Sequence, residues 1–511
     1  MATAANRIAP TELTLDGVAA YWASRRPDDM ALRCTAAGAE EQLDWRGFDA
    51  EVAAAAGMLR SDIAAGKPVA IVCATGIAFH VLVNALWRLG AGVLLIDRNW
   101  GPAIVEDLIA LVGCRTIFAQ AGWSAAGRYA AAIRPYPARA CADGATFAPL
   151  PPSVDPDAVA LYAATSGTTD NPKCVAITHR RIRSAYRACL SVHDFAAVER
   201  CACLFELNSL GILGVCFLLP REVGAGTTIY PSFTIANAAR AWRAATEDGT
   251  DFVYLVPPLV RLLNALPPRP GGRPILAFCS AAPVAEPELR SLEAAYPVTV
   301  YNSYGLTELT FAVFFGCRAT DGGASESIGY PVDIRARLID AEERDLSGPG
   351  AGELLIAGPM LTDGYLHNPA GTEASWSEGW LKTGDIAERD ADGRYYIRGR
   401  LKDVVLRGGY TYYLGEFEHY LRRAPNVVDA CAFRGRDLPS GDELCVVVQV
   451  SEPVEEGVLL DWVRDNLGPT KLPNALYVWQ RGLPRNSNGK IQRNLLMQMH
   501  REGRLREEAR G

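Results

Sequence analysis

Between residues 45 and 119 the chain switches repeatedly between two hydrophobic periods, and this alternation restricts the fold more than any other feature. Residues 45–60 are alanine-rich and helix-like, and 68–74 form a short apolar run. Residues 79–89 are helical again, 92–97 a second buried strand, 103–112 a third helix and 115–119 a third strand. Short apolar strands joined by helices of this length require right-handed crossovers, and therefore a parallel or mixed sheet. Residues 158–165 repeat the strand pattern after a Pro-, Ala- and Asp-rich stretch at 135–157, and a further alternating region runs to about residue 301. From 327 to 396 the segments shorten and Gly and Asp turns multiply, as in a small β-rich unit, and beyond residue 400 the pattern changes once more. Residues 444–450 read as a strand, 459–467 as an amphipathic helix, and 497–511 as a charged helix or a frayed end. A chain of 511 residues is too long for one ordinary core, so two or more packed units are expected.

The formal charge of −7 and the absence of a strong basic run argue against a nucleic-acid or anionic-membrane surface. The start, MATAANRIAP, lacks the basic and apolar regions of a secretory signal. The long apolar stretch at 211–219 is far shorter than the roughly 20 residues a spanning helix needs. A cytoplasmic protein is expected. Its 13 cysteines are scattered singly, which points to reduced core thiols rather than a disulfide frame. Cys201 and Cys203 lack a second pair or a nearby histidine to complete a metal site, so they too read as structural.

The first chemical signal is Thr165-Ser166-Gly167-Thr168-Thr169-Asp170-Asn171-Pro172-Lys173. A buried strand runs directly into hydroxyls, a glycine and a lysine. Polyphosphate oxygens need short donors that approach closely, and the Thr and Ser hydroxyls and the N–H groups around Gly167 supply them, with Lys173 as a mobile positive charge. No GK[ST] ends the segment, so it is not a Walker loop. By itself it is equally an ordinary Ser/Thr/Gly turn.

The segment resembles the phosphate loop of the adenylate-forming superfamily, which includes acyl-CoA synthetases, nonribosomal peptide adenylation domains and beetle luciferases. The chain has Asp170 where that loop usually has glycine, and Cys174 where it often does. A negative charge at Asp170 lowers phosphate affinity if the loop folds over ATP, and matters little if the tip faces solvent. His179, at the family's usual Thr-His position, reads as structural.

Further segments match along the chain. Tyr301-Asn302-Ser303-Tyr304-Gly305-Leu306-Thr307-Glu308 is similar to the family's aromatic-Gly-x-Thr-Glu motif. The resemblance implies that Tyr304 packs on adenine beside Ser303 and Gly305, that Thr307 touches the α-phosphate, and that Glu308 binds Mg²⁺. Ser280-Ala281-Ala282-Pro283 is similar to the small-residue turn beside the adenine. In Gly379-Trp380-Leu381-Lys382-Thr383-Gly384-Asp385, the Asp385 carboxylate suits two vicinal ribose hydroxyls; Arg400 is the second ribose contact by resemblance, with Ile397 in the same site.

Lys402 takes the hinge position, so the resemblance implies an AMP-binding domain over 1–401 and a mobile domain over 402–511. Gly408-Gly409-Tyr410 is similar to the loop lining the thiol tunnel, followed here by Thr411 and Tyr412. Leu483-Pro484-Arg485-Asn486-Ser487-Asn488-Gly489-Lys490-Ile491 resembles the family's Pro-x-Thr-x-x-Gly-Lys loop, with Asn486 at the usual Thr. An ammonium between the attacking carboxylate and the phosphoryl oxygens offsets the charge that builds there, and Lys490 takes that role.

The implied fold is α/β: a large N-terminal domain of two αβ sub-structures plus a small β-rich unit, with a small mobile α+β C-terminal domain. The implied chemistry is ATP- and Mg²⁺-dependent formation of an acyl-AMP, then transfer of the acyl group to a thiol, CoA first. A separate acyl carrier protein or an amine is the alternative acceptor. The acid is expected near Glu206, Leu207, Asn208, Gly211 and Leu306. A pocket-facing Glu206 would suit an amino acid; the leucines favour an apolar one.

Overall fold

A computed structural model describes the chain except residues 1–7, 36–39, 73, 75, 99, 101, 121–122, 124–131, 137–154, 166–172, 193–194, 208–209, 235, 281–283, 285, 319–326, 402, 408–409, 439–440, 486–489 and 509–511. The early alternation becomes the expected βα units: helix Trp45–Leu59, strand Val69–Val72, helix Ile77–Arg88, strand Val93–Ile96, helix Pro102–Val112 and strand Ile117–Ala119. Asp44 starts the first of these helices by accepting from the Gly47 amide at 2.6 Å. A six-stranded sheet has the order Ile133–Pro135, Ile117–Ala119, Val69–Val72, Val93–Ile96, Val159–Thr165, Lys173–Thr178. All its neighbours are parallel except the last pair, a hairpin that sets Thr165 opposite Lys173.

The second sub-structure is a nine-stranded sheet. Its parallel centre runs Val298–Gly305, Ile275–Cys279, Phe252–Leu255, Arg200–Cys203, Gly226–Ile229, Met30–Cys34, with antiparallel strands at both edges. At its centre Phe252–Leu255 is buried on both faces, which explains why it reads as an unbroken apolar run. Between the two sub-structures Arg183 is buried and holds Glu222 through Nε and Nη2 at 2.9 and 2.7 Å. Its Nη1 also donates to the carbonyls of Pro10, Thr11 and Leu13. His179 is buried and accepts from the Leu15 amide at 3.3 Å, a structural position as expected.

A five-stranded antiparallel sheet, Arg335–Ile339, Gly350–Ala357, Trp380–Arg389, Trp376–Ser377 and Tyr395–Arg400, is the small β-rich unit. Residues from Val405 onward build cores of their own on the two faces of a second five-stranded sheet. That sheet pairs Val427–Leu438, Gly441–Val450 and Ala475–Trp479, flanked by helices Leu414–Leu421, Glu456–Leu467 and Arg493–Arg501. The helix expected at 459–467 starts three residues earlier, where polar residues hide its onset.

The apolar run at 211–219 lies in a helix with a π-turn over Gly214–Leu218. A Cβ on Gly214 would lie 2.6 Å from the Tyr186 hydroxyl, so a larger residue there would have to displace that buried side chain. Among the described residues no helix is long and apolar enough to cross a membrane. The ten described cysteines are buried and unbridged, and neither Cys201 nor Cys203 belongs to a possible metal-ligand group among the described residues.

Candidate active site

Parallel strands Ile275–Cys279 and Val298–Gly305 place Cys279 opposite Asn302, so Ser280 and the Ser303–Gly305 segment lie at one carboxyl edge, where Ser303–Gly305 pairs only with the antiparallel strand Ala312–Arg318. Ligands of open parallel sheets bind outside that edge. The Tyr254 hydroxyl lies 2.8 Å from Ser280 Oγ, and Ser303 Oγ donates to the Cys279 carbonyl at 3.4 Å. A Cβ at Gly305 would stand 2.2 Å from the Phe311 carbonyl oxygen, which makes glycine obligatory at the bend.

Leu306 then leads into the single 3₁₀ turn Thr307–Leu309. Thr310 follows at φ 68°, a left-handed conformation that a β-branched residue holds only under constraint. The constraint is visible: Thr310 Oγ1 donates to the Met360 carbonyl at 2.9 Å, and the Thr362 amide donates to the Glu308 carbonyl at 2.9 Å. Thr307 and Glu308 are thereby held half-buried at the tip of the turn, against strand Val159–Thr165.

Tyr365, which the sequence reading passed over, organises this corner. Its hydroxyl donates to Glu308 Oε1 at 2.8 Å, and the Lys173 ammonium lies 4.5 Å from its ring centroid. The base of the Thr165–Lys173 hairpin and the carboxylate of the Thr-Glu turn therefore meet on one tyrosine. No local sequence signal couples Tyr365 to Glu308, 57 positions away. Ser166, Gly167, Thr168, Thr169 and Asp170 fall outside the described residues, as do Ala281, Ala282, Pro283, Asn208 and Lys402, and of Thr165 only the backbone is described. Cys174 is buried in the core under the hairpin, so its replacement of a glycine is a packing matter.

Asp385 and its neighbours form a second corner. Asp385 and Arg400 are register partners on adjacent antiparallel strands, with Arg400 Nε 3.0 Å from Asp385 Oδ1. The Tyr304 hydroxyl donates to Asp385 Oδ2 at 2.6 Å. Asp385 is buried, which pushes its carboxyl above the ordinary range, against the pull of Arg400, Tyr304 and Lys490. Ile397 sits half-buried on the same strand as Arg400. Lys490, from the C-terminal body, comes within electrostatic reach of both Asp385 and Arg400; burial and the Arg400 charge hold its ammonium below the ordinary lysine range, while Asp385 opposes them. The Arg485–Ile491 bridge closes the loop that carries it.

A family model described as AMP-binding enzyme matches residues 19–366, and one described as AMP-binding enzyme C-terminal domain matches residues 416–490. The chain belongs to the AMP-binding enzyme family. It is an AMP-forming acid–thiol ligase of the acyl-CoA synthetase kind. The sulfoacetate–CoA ligase of Cupriavidus necator is 31% identical over 356 residues, covering 68% of each chain. The oxalate–CoA ligase of Arabidopsis thaliana is 29% identical over 354 residues, 67% of this chain and 68% of that one. ATP-bound MatB from Rhodopseudomonas palustris shares the fold with a TM-score of 0.82 at 20% identity, over 96% of this chain and 100% of that one. The superfamily resemblance and the α/β architecture read from the sequence both hold.

In this AMP-binding enzyme the expected acid segment is unevenly placed. Leu207 is buried, Gly211 and Leu306 are half-buried, and Phe205 packs between Phe233 and Tyr254. Glu206 is ion-paired with Arg98, just past strand Val93–Ile96. Arg98 was not anticipated: nothing in the local sequence couples two residues 108 positions apart.

Proposed function

We propose that this enzyme uses ATP and Mg²⁺ to convert a carboxylic acid without a free amino group into its acyl-AMP, releasing pyrophosphate, and then passes the acyl group to CoA. The observation that carries the reading is that Lys490 lies within electrostatic range of Asp385 and Arg400, groups from the other side of the 401/402 boundary. One carboxylate and one guanidinium suit the ribose hydroxyls, and an ammonium beside them suits the α-phosphoryl group that the ribose carries.

In the proposed site Thr165, Ser166, Gly167, Thr168, Thr169 and Lys173 cradle the β- and γ-phosphates. Tyr304, with Ser303, Gly305, Ala281, Ala282 and Pro283, receives the adenine. Thr307 donates to the α-phosphate, and Lys490 offsets the charge gathering on it as the acid's carboxylate approaches. The Glu308 carboxylate, oriented by Tyr365, is a hard oxygen donor of the kind Mg²⁺ takes. When bound, the ion would neutralise phosphate charge.

Glu206, Leu207, Asn208, Gly211 and Leu306 are the proposed acid-pocket residues. The Arg98 pairing of Glu206 supports an acid lacking an amino group, because that carboxylate already has a cation. CoA as acceptor is supported by the relatives' names, which include sulfoacetate–, oxalate– and malonate–CoA ligases. Between the two half-reactions the body after Lys402 is proposed to rotate.

The test is acid-dependent exchange of labelled pyrophosphate into ATP over a panel of sulfoacetate, oxalate, malonate, ferulate and amino acids. Exchange with a member lacking an amine, lost in Lys490→Ala, is expected. Undiminished exchange in that variant would remove Lys490 from its role, and exchange with amino acids alone would overturn the acid class.

A further inference from the structure

Asp429 is buried on strand Val427–Leu438 of the C-terminal body and is surrounded by three arginines that come from three different places. Arg422, from its own body, donates through Nε to Oδ1 at 2.7 Å. Arg485, at the start of the loop that ends in Lys490, binds Oδ2. Arg261 reaches the same Oδ2 at 3.1 Å from helix Pro257–Asn264, which follows strand Phe252–Leu255 of the nine-stranded sheet. One carboxylate oxygen is thus shared by the large body and the lysine loop.

The loop itself is short and closed. Arg485 and Ile491 form a bridge, and the Gln492 amide donates to the Pro484 carbonyl at 2.9 Å. Beyond it Arg493 binds Asp403, beside the junction, and Glu418 at 2.7 Å. Fixing Arg485 therefore fixes the base from which Lys490 extends.

We propose that Arg261 is a positioning residue for Lys490: through Asp429 and Arg485 it favours the orientation of the C-terminal body in which the ammonium faces Asp385 and Arg400, and it lets go in the other orientation. This rests on the reading that the body rotates between half-reactions. The ionic bookkeeping suits a reversible catch. When the bodies part, Asp429 keeps Arg422 and Arg485, and Arg261 keeps Glu288, which already accepts from its Nε at 2.6 Å. No charge is left buried and unpaired, so the contact biases the equilibrium without locking it.

The test compares Arg261→Met, which keeps the stem and removes the charge, with Arg261→Lys in the full-length enzyme. Turnover in the pyrophosphate exchange, with whichever panel acid the parent enzyme accepts, is expected to fall about five-fold or more in Arg261→Met, with a smaller change in KM for ATP. Thioester formation from supplied acyl-adenylate and CoA should be unchanged or faster, and Arg261→Lys should recover part of the exchange. Hydrogen exchange on the unliganded enzyme, which needs no acid, should show faster labelling of residues 484–493 in Arg261→Met and near-parent labelling in Arg261→Lys. Equal loss of both half-reactions, or no change in turnover and labelling, would overturn the proposal. If Lys490→Ala abolishes exchange while Arg261→Met is silent, only this inference fails; if Lys490→Ala leaves exchange intact, the role of Lys490 fails first.

Discussion

Tyr304 and Asp385 lie 81 positions apart in sequence, yet the tyrosine hydroxyl donates to the carboxylate at 2.6 Å. The contact ties the carboxyl edge of the nine-stranded sheet to the small antiparallel sheet, and it leaves Asp385 Oδ1 to Arg400. The proposed adenine and ribose contacts are therefore one hydrogen-bonded unit, and disturbing either end should disturb nucleotide binding.

Asp385→Ala is expected to weaken ATP binding by about ten-fold or more, since hydrogen bonds to a charged group contribute about 1.5–3 kcal/mol. Tyr304→Phe should cost less, because the carboxylate keeps Arg400. Calorimetric titration of both variants with ATP checks the order; an equal or larger loss in Tyr304→Phe would contradict it.

The pH profile of adenylation should report Lys490. In its proposed role the protonated form is the active one, and burial with the Arg400 charge holds it below the ordinary lysine range. The alkaline fall in kcat/KM should therefore come at lower pH than an ordinary lysine would give. Removing the repelling charge in Arg400→Gln should move that limb up in pH, and removing the attracting one in Asp385→Asn should move it down. Limbs that stay put in both variants would assign the titration to another group.

Tyr365→Phe removes the donor that orients Glu308 and leaves the ring facing Lys173. The Mg²⁺ concentration for half-maximal exchange should rise several-fold while KM for the acid holds, and Glu308→Gln should raise it further. A Tyr365→Phe enzyme with an unaltered Mg²⁺ requirement would make that hydrogen bond merely structural.

Stability should depend heavily on Arg183. Replacing it with alanine strands the buried Glu222 carboxylate and three chain carbonyls, and breaking a buried pair this way costs about 3–5 kcal/mol. Thermal unfolding of Arg183→Ala should begin several degrees below the parent enzyme, whereas Arg180→Ala, which loses only a surface pair with Asp157, should change little. Equal shifts would refute the ranking.

The alternating periods at 45–119 dictated the βα units, because burial on both strand faces and one helix face leaves a direct mark on composition. The proposed phosphate loop, the Tyr304–Glu308 segment, Asp385 and Lys490 could be singled out in the sequence because each role proposed for them needs particular residue types close together in the chain. Arg98 on Glu206, Tyr365 on Glu308, and Arg261 on Asp429 were not. An arginine or tyrosine at such a position looks the same in sequence whether it meets solvent or a carboxylate a hundred residues away. Its partner is chosen by how the sheets stack and how the C-terminal body docks. The sequence by itself thus determined which chemistry the chain carries; only tertiary packing decided which charges neutralise one another around it, since Coulomb energy depends on distance and burial, and neither is written locally.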